Sequence, residues 1–115
     1  MADYVTRAEE NGAIHIAEDV IAAIVTDAAK DVEGVGTASQ NVAEQLSGKK
    51  AVRGVRVEKV EDALVIDVFL MARYGCSIPE VARKVQGAVA DAVGGMTGFP
   101  VKTVNVHVGG VSFND

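Results

Sequence analysis

The strongest constraint on the fold is a segment, Ala63 to Tyr74, in which every second residue is apolar. The even positions are Leu64, Ile66, Val68, Leu70 and Ala72. The odd positions mix three apolar residues with two charged ones: Val65, Phe69 and Met71 with Asp67 and Arg73. Side chains alternate between the two faces of a β-strand, so this pattern predicts a strand whose even face is buried in the core.

Valine supplies 21 of the 115 residues, and its β-branched side chain favours further strands. Val52 to Val60 alternates imperfectly and is joined to the first segment by the polar turn Glu61-Asp62, which predicts a hairpin. Val101 to Val111 alternates valine with polar residues and predicts a half-buried strand. Ala13 to Ile16 is a shorter strand pattern.

Two segments have helical spacing of apolar residues. The first begins at Glu18 and Asp19, whose charges favour a helix N-terminus, and ends at Gly34. The second begins at the capping box Ser77-Ile78-Pro79-Glu80 and ends among Gly94, Gly95 and Gly98. Each helix has one apolar face, so both can pack on the same side of one sheet.

The predicted order is therefore strand, helix, strand, strand, helix, strand. This order favours an α+β fold: a two-layer sandwich in which two amphipathic helices cover one face of a small mixed sheet. Residues 1–11 lack an apolar period and are expected to be a mobile N-terminal lead-in, followed by a single α+β domain over residues 12–115.

The second face of the sheet is the candidate interaction face, because helices on the even side would leave its apolar side chains exposed beside polar ones. Its candidate residues are Val65, Phe69, Met71, Arg73, Arg56, Asn105 and His107. The alternative is that the segment Gly36 to Lys50 covers this face and buries Phe69 as ordinary core.

A basic stretch begins at the end of that segment. It consists of Lys49, Lys50, Arg53, Arg56 and Lys59. It could meet phosphate, an acidic protein surface or the acidic first half of the chain, but it lacks interleaved aromatic residues that would stack on bases.

No arrangement of residues typical of an enzyme or a metal site is present in the sequence. His15, His107 and Cys76 are isolated, without a second ligand at the short spacing that zinc sites use. The expected catalytic, cofactor and metal residues are therefore none. Nor does any apolar stretch approach the roughly 18 residues of a membrane span, and a single cysteine without an export signal fits the cytoplasm.

Several short motifs, in their order along the chain, resemble the alkaline shock protein family of Gram-positive bacteria, also called the envelope stress response family. They are Gly12-Ala13-Ile14-His15-Ile16, Val32-Glu33-Gly34-Val35, Tyr74-Gly75-Cys76-Ser77-Ile78-Pro79-Glu80-Val81-Ala82, Met96-Thr97-Gly98 and Val104-Asn105-Val106-His107-Val108. The resemblance extends from Gly12 to Phe113.

This resemblance implies a cytoplasmic protein without catalysis or cofactor, linked to envelope stress and held near the membrane by a separate anchoring protein. The first expectation is therefore a scaffold protein that self-associates and docks on a membrane-anchored partner. The alternative is a nucleic-acid-binding module that uses the basic stretch 49–59. An enzyme using Cys76 or the histidines is a third and weaker hypothesis.

Overall fold

The computed structural model describes residues 4–36 and 52–113. Within these residues the chain forms five strands and two helices: β1 (Tyr4–Glu9), β2 (Gly12–Ala17), α1 (Glu18–Lys30), β3 (Val52–Val60), β4 (Ala63–Arg73), α2 (Ile78–Thr97) and β5 (Val101–Ser112). The α+β class is confirmed.

The main sheet has the strand order β3-β4-β5. β3 pairs antiparallel with β4 through the predicted hairpin, and β4 pairs parallel with β5. The parallel pair requires a crossover, and α2 supplies it. The sheet is therefore mixed, as the sequence predicts.

Both helices pack on one side of this sheet. The predicted even face of β4 is fully buried, with relative exposures of 0 to 1% for Leu64, Ile66, Val68, Leu70 and Ala72. The helices meet it with apolar side chains at three- and four-residue spacing: Ile21, Val25 and Ala29 from α1, and Val81, Val85, Val89 and Val93 from α2. This double layer is the hydrophobic core.

The ends of α2 agree only in part with the sequence prediction. Gly98 ends the helix in the left-handed conformation, with φ of 78°, whereas Gly94 and Gly95 lie inside it. Ser77 occupies the N-cap position, but its side chain makes no capping hydrogen bond. The capping-box prediction is therefore wrong in its hydrogen bond, although the start of the helix is correct.

The predicted lead-in differs most from the structure. Residues 4–9 of the expected mobile segment 1–11 form β1, which pairs antiparallel with β2 in a separate two-stranded sheet. Val5 is 4% exposed and belongs to the core, so β1 is part of the fold. The predicted strand at Ala13 to Ile16 exists, but it pairs with β1 and not with the main sheet.

Two long cationic side chains form hydrogen bonds between the β1 strand and the rest of the fold. Lys59 Nζ, at the end of β3, donates a hydrogen bond of 2.8 Å to the carbonyl oxygen of Thr6. The Arg7 guanidinium donates to the carbonyl oxygen of Gly98. Both donors are charged side chains, so the spacing of apolar residues in the sequence does not reveal these two bonds.

Candidate interaction face

The open face of the main sheet is the side opposite α1 and α2. All seven candidate residues of the sequence analysis lie on it: Arg56 on β3, Val65, Phe69, Met71 and Arg73 on β4, and Asn105 and His107 on β5. The strand register places them in rows across the sheet, with Arg56, Asp67 and Asn105 in one row and Gly54, Phe69 and His107 in the next. Separate parts of the sequence therefore build one continuous surface.

Phe69 is the centre of the open face. Its side chain is 38% exposed, although the even-numbered neighbours on the same strand are fully buried. The His107 ring stacks on it, with 4.4 Å between ring centroids and 12° between ring planes. On the other side of Phe69 lies Gly54, where an added Cβ would come within 4.0 Å of the phenyl ring. The aromatic ring is thus fixed in place while one side remains accessible.

The alternative in the sequence analysis is that residues 36–50 cover this face and bury Phe69. Apart from Gly36, that segment lies outside the described residues. At 38% exposure Phe69 differs clearly from the core residues, which are at 8% or below. Phe69 is therefore not part of the core formed by the described residues, and the covering of this face by residues 36–50 stays a prediction.

Asp67 links the polar residues beside this ring. Its Oδ1 accepts hydrogen bonds from His107 Nε2 at 3.0 Å and from Asn105 Nδ2 at 3.1 Å. These two hydrogen bonds lower the pKa of the Asp67 carboxyl below its ordinary value, and the bond from His107 has the larger effect. The carboxylate therefore stays charged on a face that also carries Arg56 and Arg73.

Met71 continues the apolar centre towards the far end of β4. Its side chain lies against Gly110 of β5, where an added Cβ would be 3.0 Å from the methionine sulfur. Gly36 approaches the same residue from its other side and donates its backbone N–H to the carbonyl oxygen of Met71 at 2.7 Å. Two glycines thus make room for a half-buried methionine at this end of the open face.

The basic stretch does not form one surface among the residues that are described. In the register of β3 and β4, Arg56 lies opposite Asp67 on the open face. Lys59 lies opposite Leu64, a residue of the helix-covered face. Lys59 also lies over the Phe99 ring, 5.8 Å from its centroid, in addition to bonding to β1. Lys49 and Lys50 lie outside the described residues, as does the side chain of Arg53.

The remaining candidates for chemistry are not brought together. His15 is on β2, where its Nδ1 is in a hydrogen bond of 2.8 Å with Thr6 Oγ1. Cys76 is a half-buried free thiol in the turn between β4 and α2. Over residues 4–36 and 52–113, no three His, Cys, Asp or Glu side chains come close enough to hold a metal ion.

Two contributors to the open face, Asp67 and Gly54, are not among the seven candidate residues of the sequence analysis. Asp67 is readable as an odd position of the strand, but its role in joining two β5 side chains depends on the parallel register of β4 and β5. That register cannot be read from alternation alone. Gly54 could have been suspected, because a glycine inside a strand often marks the close approach of another group.

Three comparisons place the chain among known proteins. The model of the alkaline shock protein family, described as having a "cell envelope-related function", matches residues 6–113. The uncharacterized protein YqhY of Bacillus subtilis (strain 168) is 33% identical over 107 residues, which are 90% of this chain and 79% of YqhY. The uncharacterized protein YloU of the same organism is 38% identical over 106 residues, 87% of this chain and 88% of YloU.

Among solved structures, the chain is similar to the MamM CTD. A zinc form of that domain superposes with a TM-score of 0.53 at 16% identity, over 85% of this chain and 90% of that chain. At this identity the likeness concerns the fold. Within the described parts of our chain, neither helix is long and apolar enough to span a membrane.

Proposed function

Because the chain belongs to the alkaline shock protein family, which has a cell envelope-related function, we propose that it is a non-enzymatic interaction protein of the envelope stress response. In this proposal it self-associates and docks, at the cytoplasmic face, on a membrane-anchored protein through its open face. The family membership confirms the resemblance that the sequence motifs indicate. The membrane-anchored partner is carried over from that resemblance.

The observation that supports the docking site is the exposed Phe69 at the centre of the open face. A large aromatic side chain, surrounded by polar residues that can exclude water, is the usual anchor of a protein interface. The ring is already held by His107, so little conformational entropy would be lost when a partner covers it. Arg56 and Asp67 supply both charges for orienting a partner.

A role without catalysis is supported by the shape of this surface. The polar cluster around Asp67 lies on the face of a sheet, whereas catalytic groups converge in a concave pocket. Asn105 and His107 both bond to the same carboxylate oxygen. In this proposal the two bonds orient the carboxylate on the open face.

The nucleic-acid alternative for the basic stretch stays a prediction. Arg56 and Lys59, its two members with described side chains, belong to opposite faces of the sheet. A single strand of nucleic acid would therefore not contact both on one flat surface.

The proposed docking is tested by cell fractionation in Bacillus subtilis, the source of two of the relatives. Phe69→Glu places a charge at the centre of the open face. Met96→Glu is the matched control, because Met96 is 72% exposed on α2, which covers the opposite side of the sheet. Circular dichroism establishes that both variants are folded.

We expect wild type and Met96→Glu in the membrane fraction, and at least a tenfold lower bound fraction for Phe69→Glu, since loss of an aromatic anchor costs about 2 kcal/mol or more. Protease treatment of the membranes should abolish the binding, and nuclease should not. A folded Phe69→Glu variant that remains bound like wild type would contradict the proposal. Release by nuclease would favour nucleic acid instead.

A further inference from the structure

The strand β5 forms one edge of the main sheet among the described residues. It is 12 residues long, and Lys102 is its one charged side chain at neutral pH when His107 is neutral. Natural proteins usually protect such an edge with charges, proline or a short strand, because its free backbone groups pair readily with another strand. β5 has a bulge near each end, at Lys102 and Gly109, but between the bulges it has neither a proline nor a Lys, Arg, Asp or Glu side chain.

The backbone hydrogen bonds identify which residues of β5 face outward. Just before β5, the Pro100 carbonyl oxygen accepts a hydrogen bond from the Leu64 N–H. At the last residue of β5, the Ser112 carbonyl oxygen accepts one from the Tyr74 N–H. Both carbonyl groups therefore point towards β4. The register contains two shifts, where Lys102 and Gly109 are extra residues on β5. Counting alternate residues through these shifts leaves the N–H and C=O groups of Val104, Val106 and Val108 directed away from β4.

One of these groups already has a partner from outside the sheet. The Gln86 side chain on α2 donates a hydrogen bond of 3.0 Å to the carbonyl oxygen of Val104. This bond agrees with the outward direction of Val104. Val106 is the middle one of the three valines with outward backbone groups, all of which lie between the two bulges.

We propose that this edge binds a second copy of the chain, with the two β5 strands antiparallel around a twofold axis at Val106. The proposal rests on the self-association in the proposed function and specifies how it is achieved. The valines whose backbone groups point outward then pair with one another: Val106 with the second Val106, and Val104 with Val108, whose N–H takes the second acceptor position of the Val104 carbonyl beside Gln86. Between them Asn105 lies opposite His107 on the open face.

The chemistry of the segment fits a copy of itself. The whole chain has a net charge of −5, so two copies repel each other at most approaches. The segment Thr103 to Val108 has no acidic or basic side chain apart from His107, so it avoids this repulsion where the strands meet. Valine faces valine on the helix side, and an amide faces an imidazole on the open side.

The product would be a six-stranded sheet with two Phe69 rings on one continuous open face. A partner that presents two docking motifs would then bind more tightly than through either alone. Self-association and docking would therefore use different surfaces of the same sheet.

The first test removes the central outward N–H group. Val106→Pro lacks this donor, and proline is tolerated at a sheet edge where the N–H is not needed within the sheet. Val106→Thr keeps the N–H and nearly the same shape, so it is the control. We expect the dimer dissociation constant, measured by analytical ultracentrifugation, to rise at least tenfold for Val106→Pro and to change less than about threefold for Val106→Thr.

The second test fixes the register and does not require the proline variant to fold. Asn105→Cys and His107→Cys are made separately, each with Cys76→Ser. Because these positions face each other across the twofold axis, an oxidised mixture of the two should form disulfide-linked dimers far faster than either alone. A mixture of Thr103→Cys with Asn105→Cys is the register control and should not.

Equal cross-linking in the two mixtures, or an unchanged dissociation constant for a folded Val106→Pro, overturns the β5 pairing. Membrane docking through Phe69 is unaffected by that result, because Phe69→Glu tests it separately. A wild-type chain that is monomeric at all concentrations overturns both this inference and the self-association in the proposed function, and again leaves docking to its own test.

Discussion

Val5→Ala tests whether the N-terminal strand β1 belongs to the folded protein. Val5 is 4% exposed and packs in the core cluster, although its neighbours along β1 are largely polar. The substitution keeps the backbone pairing with β2 and shortens one buried side chain. It therefore isolates the apolar contact by which β1 joins the core.

The expected cost follows from the atoms that are removed. Val→Ala removes two carbon groups, each worth about 0.8 kcal/mol when buried. The cavity left behind and the lower strand preference of alanine add a smaller amount, for a total of about 2 kcal/mol. In a domain of this size such a loss lowers the melting temperature by about 8 °C.

The assay is thermal and urea unfolding followed by circular dichroism. Val20→Ala is the control, because Val20 is 51% exposed on α1 and alanine favours the helix. We expect its free energy of unfolding to stay within about 0.5 kcal/mol of wild type. If Val5→Ala is equally silent, β1 is not part of the core and the mobile lead-in predicted from the sequence is correct.

Two further predictions concern the helix ends and the open face. Ser77→Ala should change the free energy of unfolding by less than about 0.5 kcal/mol, because the side chain makes no capping bond. Gly98→Ala should cost about 1 kcal/mol or more, because Gly98 has a left-handed φ of 78°. Equal effects of the two substitutions in urea unfolding would refute this contrast. Because the pKa of Asp67 is lowered in the folded state, its contribution to stability is present above the ordinary value of 3.8 and is lost as the pH falls through the lower folded pKa. The free energy of unfolding should therefore fall more steeply with pH over this range for wild type than for Asp67→Asn, and identical slopes would refute it.

The main sheet and its helices could be predicted because the sequence repeats one simple signal. On β4 the even positions are apolar without exception, and on α2 the valines recur at helical spacing up to Val93. A buried face must be apolar along its whole length, so the signal is present at many residues at once. The same alternation places the seven candidate residues on the open face.

The N-terminal strand is not predicted because its evidence is local and polar. β1 has one buried apolar residue, Val5. Its other contacts with the fold are the hydrogen bonds from Arg7 to the Gly98 carbonyl and from Lys59 to the Thr6 carbonyl. The dipeptide Asn11-Gly12 was the available signal. Asn-Gly is a frequent hairpin signal, and here it stands where the two-residue loop Glu10-Asn11 joins β2.

The contacts within the open face could not be predicted, because they depend on which residues of β4 and β5 become neighbours. The bulge at Lys102 shifts this register by one residue and brings Asn105 beside Asp67 and His107 beside Phe69. For the same reason the hydrogen-bonding direction of β5 is visible only in the structure.

The most direct test of the account is whether Phe69 becomes covered when the protein docks. The chain contains no tryptophan, so Phe69→Trp introduces a single fluorescent reporter at the centre of the open face, and the wild-type chain serves as the blank. Met96→Trp is the control on α2. On binding to the partner-containing membranes, we predict that the emission of Phe69→Trp shifts to shorter wavelength and that Met96→Trp stays unchanged. A bound Phe69→Trp chain whose emission is unshifted would contradict the assignment of the open face as the docking surface.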